Sequence, residues 1–249
     1  MRPIMFDTKG GLAAAAVGAA SLAILGLVMR KKTKQQPPPD GELVVLPEHL
    51  LHEAATLAAG AFAESPSYVY VAGGEVETFP LLKWMFYRNF WLRASTTCNR
   101  AVFENGRLVA FFMFVKPGIR RPTFADFLLA GIARMPFLFG LNTVRRLFQL
   151  IDWFDEQDAQ MAKEYGPLVH LERVCVHPDF QGRGIGTKAL QVALREADAE
   201  GLTVFLGTQL ERNVTFYRRL GFEVVKTLNF PGYPEPNRFM LRRPTTPAT

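Results

Sequence analysis

Val174-Cys175-Val176-His177-Pro178-Asp179-Phe180-Gln181-Gly182-Arg183-Gly184-Ile185-Gly186 carries the reading of this chain. An apolar stretch rich in β-branched residues leads into a glycine-rich turn, and beyond it Leu190, Leu194 and Ala197 recur at helical spacing. Strand, glycine loop and helix in that order make a phosphate-binding layout. Glycines let the backbone come close to a ligand with its N–H groups turned inward, and the helix N-terminus adds partial positive charge. Arg183 offers one charge-assisted contact. The loop is not a Walker loop, since GxxxxGK[ST] is absent. It is not the dinucleotide fingerprint either, because Gly182-x-Gly184-x-x ends on Thr187. Without a ligand the same stretch reads as a tight turn into a helix.

Outward from this point the pattern alternates. A strand is expected over 168–176, a helix over 186–200, a strand over 202–206, a helix over 212–220, and strands over 222–228 and 238–241. Before it, a short strand over 42–46 and a helix opened by Pro47 lead to a second helix after Phe79-Pro80, with Leu81, Leu82, Met85, Phe86 and Phe90 at helical spacing. Ala101-Val102-Phe103, Glu104-Asn105-Gly106-Arg107 and the apolar run 108–115 predict a hairpin, because Asn-Gly supplies the positive φ angles of a tight turn. The body is mixed α/β.

Residues 124–154 are unusually apolar and aromatic. Arg134, Pro136, Arg145 and Arg146 interrupt them, which predicts two short amphipathic helices broken at Pro136 rather than a membrane span. Core packing, the lining of an apolar acceptor pocket and a membrane-surface role are all open for this segment.

The Gln181 to Gly186 loop resembles the Q/R-x-x-G-x-G/A signature of the GNAT superfamily of acetyl-CoA-dependent N-acetyltransferases. Glu211-Arg212-Asn213-Val214-Thr215-Phe216-Tyr217-Arg218-Arg219-Leu220-Gly221-Phe222 is similar to that family's N-x-x-x-Y-x-x-x-G-F segment, in the expected order and distance. The likeness is firm from residue 168 onward and looser back to residue 42, with the flavour of puromycin-acetyltransferase-like small-molecule enzymes. It implies the GNAT acyl-CoA N-acyltransferase fold, with a mixed, mostly antiparallel sheet flanked by helices. It further implies acetyl-CoA as co-substrate, an amine acceptor and no metal. By the same resemblance the loop residues Gln181, Gly182, Arg183, Gly184, Ile185 and Gly186 hold the pyrophosphate. The strand edge of Val174, Cys175 and Val176 meets the pantetheine arm, and Asn213 and Tyr217 lie beside the thioester.

Tyr217 is then the expected general acid. A phenol with pKa near 10 stays protonated at neutral pH and can donate to a thiolate whose conjugate pKa is about 8.5. An amine with pKa about 10.4 must lose a proton before it attacks. Glu172 and His170 stand at the positions where some family members place their base, and water is a third route. Their i, i+2 spacing on a strand puts both on one face, which Val174 and Val176 are expected to continue. Glu172 is the preferred base, although His170 has the pKa better matched to neutral pH. Cys175 reads as a small buried residue rather than an acyl-accepting nucleophile.

Residues 11–29 form an uncharged stretch of nineteen that as a helix would span about 28 Å. Arg30, Lys31, Lys32 and Lys34 follow, so a signal anchor with the body on the cytosolic side is expected; an organelle (mitochondrial) presequence and a cleaved secretory signal are the alternatives. Residues 1–29 read as the anchor or targeting segment, 30–41 as a basic, Pro-rich linker, 42–244 as the catalytic domain and 245–249 as a tail. The net charge of +6 is dispersed, which disfavours nucleic acid as a partner. Two cysteines, Cys98 and Cys175, show no zinc-ligand spacing and no disulfide framework. Function therefore narrows to an N-acetyltransferase for a small apolar or aromatic amine, with a protein or peptide acetyltransferase and a non-catalytic, membrane-held acyl-CoA-binding module as alternatives.

Overall fold

The computed structural model describes residues 38–245. The apolar segment 11–29, the linker as far as residue 37 and residues 246–249 lie outside the described residues. Among those described, no helix is long and apolar enough to cross a membrane.

Seven strands form one sheet: β1 (Leu43–Val45), β2 (Asn99–Glu104), β3 (Arg107–Val115), β4 (Leu168–Val176), β5 (Thr203–Thr208), β6 (Glu223–Leu228) and β7 (Asn237–Arg242), in the order β1-β2-β3-β4-β5-β7-β6. Every neighbouring pair is antiparallel except β4 and β5. This is the mixed, mostly antiparallel sheet that the sequence predicts. The β2–β3 hairpin turns at Asn105 and Gly106, whose φ angles of 51° and 71° are the left-handed pair the Asn-Gly step favours. Strand β3 is central and buried on both faces from Leu108 to Val115, which is why its sequence is an unbroken apolar run instead of an alternating one.

Helices cover both faces. On one, α7 (Ile185–Ala199) and α8 (Glu211–Arg218) pack Leu190, Ala193, Leu194, Val214 and Tyr217 against Phe112, Phe114, Leu171 and Leu206. On the other, α1 (Leu51–Phe62) and α3 (Thr78–Trp91) sit over the β1–β4 half. The buried stripe of α1 is Ala54, Ala55, Ala58 and Ala59; such short side chains let the helix approach closely, and the large Phe86, Phe90, Phe103 and Phe111 fill the space beside it. Each Phe so buried contributes about 2–3 kcal/mol. Over the β5–β7 half of the same face lies α6 (Leu141–Tyr165), joined to Phe205, Phe239 and Leu241 through Met161. The short α2 (Pro66–Ala72) packs beside α6 through Val71, Ala72, Leu147 and Leu150.

The segment 124–154 departs from its prediction. It forms α4 (Phe124–Leu129), a 3-10 turn at Ile132–Arg134, α5 (Met135–Phe139) and the 25-residue α6, which continues to Tyr165. Pro136 does not break a helix; it lies in the first turn of α5, where its missing N–H costs nothing. The breaks fall at Gly131 and Gly140, with φ of 88° and 81°. Nor is the segment mainly core, since Phe124, Leu128, Leu129, Phe137, Leu138 and Leu141 are all exposed.

Candidate active site

Strands β4 and β5 pair over only three residues, Leu168 with Thr203, Val169 with Val204 and His170 with Phe205. Beyond that point they diverge, β4 running on to Val176 and β5 to Thr208. The edge of β4 from Leu171 to Val176 that would face β5 is therefore unpaired, and its backbone groups are open to an extended ligand.

A bulge accompanies the split. Between the pairs Met113–Glu172 and Phe111–Cys175 the register slips, so that Arg173 and Val174 together oppose Phe112. Arg173 is one of two non-glycine residues among those described with positive φ, at 53°. The bulge corrects one expectation. His170 and Glu172 do share a face, with cross-strand partners Val115 and Met113, but Val174 and Val176 do not continue it and pack instead with the α7 side. The extra residue at Arg173 reverses the alternation. Cys175 takes the other face, buried beside Phe111, where its thiol donates to the Phe111 carbonyl at 3.5 Å. Burial pushes that thiol up to about 12, so Cys175 stays protonated and only its backbone belongs to the open edge.

At the end of β4 the chain is pinned by the His177 N–H to the Val109 carbonyl (2.8 Å), turns through Pro178–Phe180 and buries the Phe180 ring beneath the loop. Gln181 folds its side-chain amide back onto the Val176 carbonyl at 3.1 Å. Gly182 and Gly184 both hold φ of 77°, and a Cβ on Gly186 would stand 3.0 Å from Val176 Cγ2. The loop thus needs glycine twice for conformation and once for space. Among the described residues no backbone amide from Gly182 to Thr187 donates to a protein acceptor, as expected for the first turn of α7. Arg183 is exposed, with its guanidinium 4.8 Å from the Phe180 ring centroid and 3.6 Å from the Glu104 carboxylate.

His170, Glu172, Val174, Asn213 and Tyr217 line one cavity of about 640 Å³ between the diverging strands and the helices α3 and α6. The loop residues Gln181 to Gly186 lie at the far end of the same β4 edge, outside its lining. Asn213 is oriented by a bond from its amide to Thr208 Oγ1 at 3.1 Å. Tyr217 is largely buried against Phe222, and burial raises its hydroxyl well above the ordinary tyrosine value, so it is a donor at any physiological pH.

The two predicted bases have different surroundings. Burial alone would raise Glu172, but the guanidiniums of Arg173, which it contacts directly, and of Arg93 outweigh burial and hold the carboxyl below its usual range. Glu172 is an engaged anion and a weak base. His170 is lowered by burial and by Arg121 and Arg93, against the opposing pull of Glu172, so the neutral imidazole prevails at pH 7. Its Nδ1 lies 3.5 Å from a carboxylate oxygen of Asp158, and its Nε2 lies 3.3 Å from Arg121. Asp158, on α6, is raised to about 7 by burial, although Arg121 pulls it down. Sequence reasoning missed Asp158 and Arg121. A faint signal exists in Asp155 and Asp158, one helical turn apart on a face that both turn toward the cavity.

Residues 149–224 match the family profile of the Acetyltransferase (GNAT) domain, and the chain carries such a domain. An uncharacterised N-acetyltransferase of Methanocaldococcus jannaschii is 36% identical over 22% of this chain and 26% of its own length. The mycothiol acetyltransferase of Propionibacterium freudenreichii is 33% identical over 30% of this chain and 31% of its own. The chain thus spans about a third or less of the curated relatives it matches. Among solved structures, arylalkylamine N-acetyltransferase 2 from Aedes aegypti superposes with a TM-score of 0.56 at 12% identity, covering 82% of this chain and 99% of that one. A histone acetyltransferase HPA2 and related acetyltransferase from Corynebacterium glutamicum gives 0.54 at 16% identity, covering 83% and 98%. At such identities the likeness is one of fold.

Proposed function

We propose that this chain is an acetyl-CoA-dependent N-acetyltransferase that moves the acetyl group directly onto an amine of a small apolar or aromatic molecule. The observation that carries the reading is the open β4 edge, which runs from an amide-lined glycine loop into a cavity holding a neutral histidine and a protonated tyrosine. The loop amides of Gly182 to Gly186, with the α7 N-terminus, suit a pyrophosphate, and the edge from Val174 to Val176 suits the amides of a pantetheine arm. His170, positioned by Asp158, takes the proton of the incoming ammonium. The amine nitrogen then bonds the thioester carbonyl carbon, the C–S bond breaks as Tyr217 protonates the departing thiolate, and the proton that the acylated nitrogen sheds returns the Tyr217 phenolate to phenol. Holding both reactants in the split supplies much of the rate through proximity. The cavity's acceptor side is apolar, with Trp84, Phe127, Ile132 and Phe148, which favours a small apolar amine over a peptide. The apolar segment 11–29 is proposed as a membrane anchor that leaves this domain in the cytosol.

The test is CoA release from acetyl-CoA in the presence of pooled small amines and, separately, pooled peptides. Release with small amines is expected; release with peptides alone would move the acceptor to protein termini or lysines. Tyr217→Phe should lower turnover about 100-fold while leaving CoA affinity within a factor of two or three. An unchanged rate would remove Tyr217 from the chemistry, and binding without release in the parent chain would make it a non-catalytic acyl-CoA-binding module.

A further inference from the structure

Eight of the thirteen exposed large apolar side chains among the described residues fall between positions 124 and 151. Leu129, at the end of α4, is 84% exposed, Phe137, in the middle of the short α5, 91%, and Leu141, at the start of α6, 75%. Scattered exposed leucines need no explanation, but a concentration of this kind marks a contact surface. Two further observations say what it contacts. Residues 120–149 contain five arginines, Arg120, Arg121, Arg134, Arg145 and Arg146, against one acid, Asp126. Arg134 and Arg145 are exposed and make no ion pair among the described residues. In addition, Phe124, Phe148 and Ile151 are exposed and also line the cavity, so the apolar surface is continuous with the rim of the acceptor site.

We infer that the face made by α4, α5 and the start of α6 as far as Ile151 rests on an anionic lipid surface and that the acceptor is an amine dissolved in that surface, entering the cavity past Phe124, Phe148 and Ile151. Apolar side chains enter the acyl boundary and arginines meet lipid phosphates, each basic group adding about 1 kcal/mol near a negative leaflet. With six and five residues α4 and α5 are too short to cross a bilayer, and α6 is not apolar enough along its length, so the face lies along the surface. The acceptor half of the inference rests on the transferase reading above; the lipid contact does not.

The experiment uses the full chain on vesicles of phosphatidylcholine with phosphatidylglycerol. Cys98 and Cys175 are buried, so a cysteine placed by Phe137→Cys, or by Val192→Cys on α7 as control, takes an environment-sensitive fluorophore selectively. The label at 137 should shift to the blue and be quenched by doxyl-lipid but not by iodide, several-fold more on anionic than on pure phosphatidylcholine vesicles. The label at 192 should be quenched by iodide alone. Iodide quenching at 137 in vesicle-bound chain would overturn the contact, because the chain would then be held elsewhere. Shielding of 137 from both quenchers without vesicles would overturn it in favour of a second copy or a segment of this chain. For the acceptor, Leu129→Glu with Phe137→Glu, both outside the cavity lining, should cut acetylation of a long-chain alkylamine in vesicles at least tenfold and spare a short soluble amine. Equal loss on both amines would overturn the entry route. Absence of transfer to any amine, with the quenching pattern intact, would instead refute the transferase reading alone.

Discussion

At the residue scale, the decisive pairing is His170 with Asp158. In the proposed mechanism the neutral imidazole is the base, so activity should fall as pH drops through the His170 pKa, which burial places below the ordinary histidine value. Asp158, itself raised to about 7 by burial, is largely protonated where His170 titrates, so Asp158→Asn should leave the acid limb of the kcat/KM profile in place and reduce kcat about tenfold by loosening the ring. His170→Gln should cost about 100-fold and remove that limb; a limb that persists in this variant would leave the proton to water. Little of this pair could be read in advance. The candidacy of His170 came from a likeness, and Asp158 lies twelve positions upstream on another element. Only the packing of α6 over β5 joins them. Arg173 left no trace either, because a positive φ at an arginine is dictated by its bulge and not by its own preference.

Elements were more legible than the site they frame. The Asn-Gly hairpin, the glycine loop and the helix after it carry local chemistry that permits one conformation, and they fold where the sequence places them. Residues 124–154 misled for a physical reason. Proline tolerates both a helix start and a helix break, and only neighbouring Gly131 and Gly140 decide which. The same logic gives a test of the loop. Gly184→Ala meets no atom within 4 Å and suffers only the strain of φ 77°, about 1 kcal/mol. Gly201→Ala, at φ 66° past the other end of α7, suffers the same strain. Both should lower Tm alike, while titration calorimetry should show acetyl-CoA affinity falling about tenfold for Gly184→Ala and unchanged for Gly201→Ala.

At the scale of the domain, Arg242 at the end of β7 ties the sheet to α7 and to the turn after α8. It forms a bidentate pair with Asp198 of α7, both bonds at 2.7 Å, and donates to the Leu220 carbonyl at 3.1 Å, while Thr245 caps the same carboxylate. The pair is 10% and 14% exposed, and breaking it by Asp198→Ala should cost about 2 kcal/mol, less than a fully dry pair. The Arg242 guanidinium beside Asp198 lowers its carboxyl to about 2. A depressed folded-state pKa stabilises above the unfolded value near 4 and loses that stabilisation as pH falls toward 2. The Tm gap between parent and variant should therefore be constant from pH 7 to 5 and close below pH 4.

The split between β4 and β5 also has a mechanical consequence. Among the described residues, three residue pairs, Leu168–Thr203 to His170–Phe205, are the only ladder joining the β1–β4 half of the sheet to the β5–β7 half. A sheet fastened at one end of a seam behaves as a pair of tongs, with its softest motion the opening angle of the jaws. A molecule wedged along the seam is then a strut, stiffening both halves at once at a point where neither touches the other.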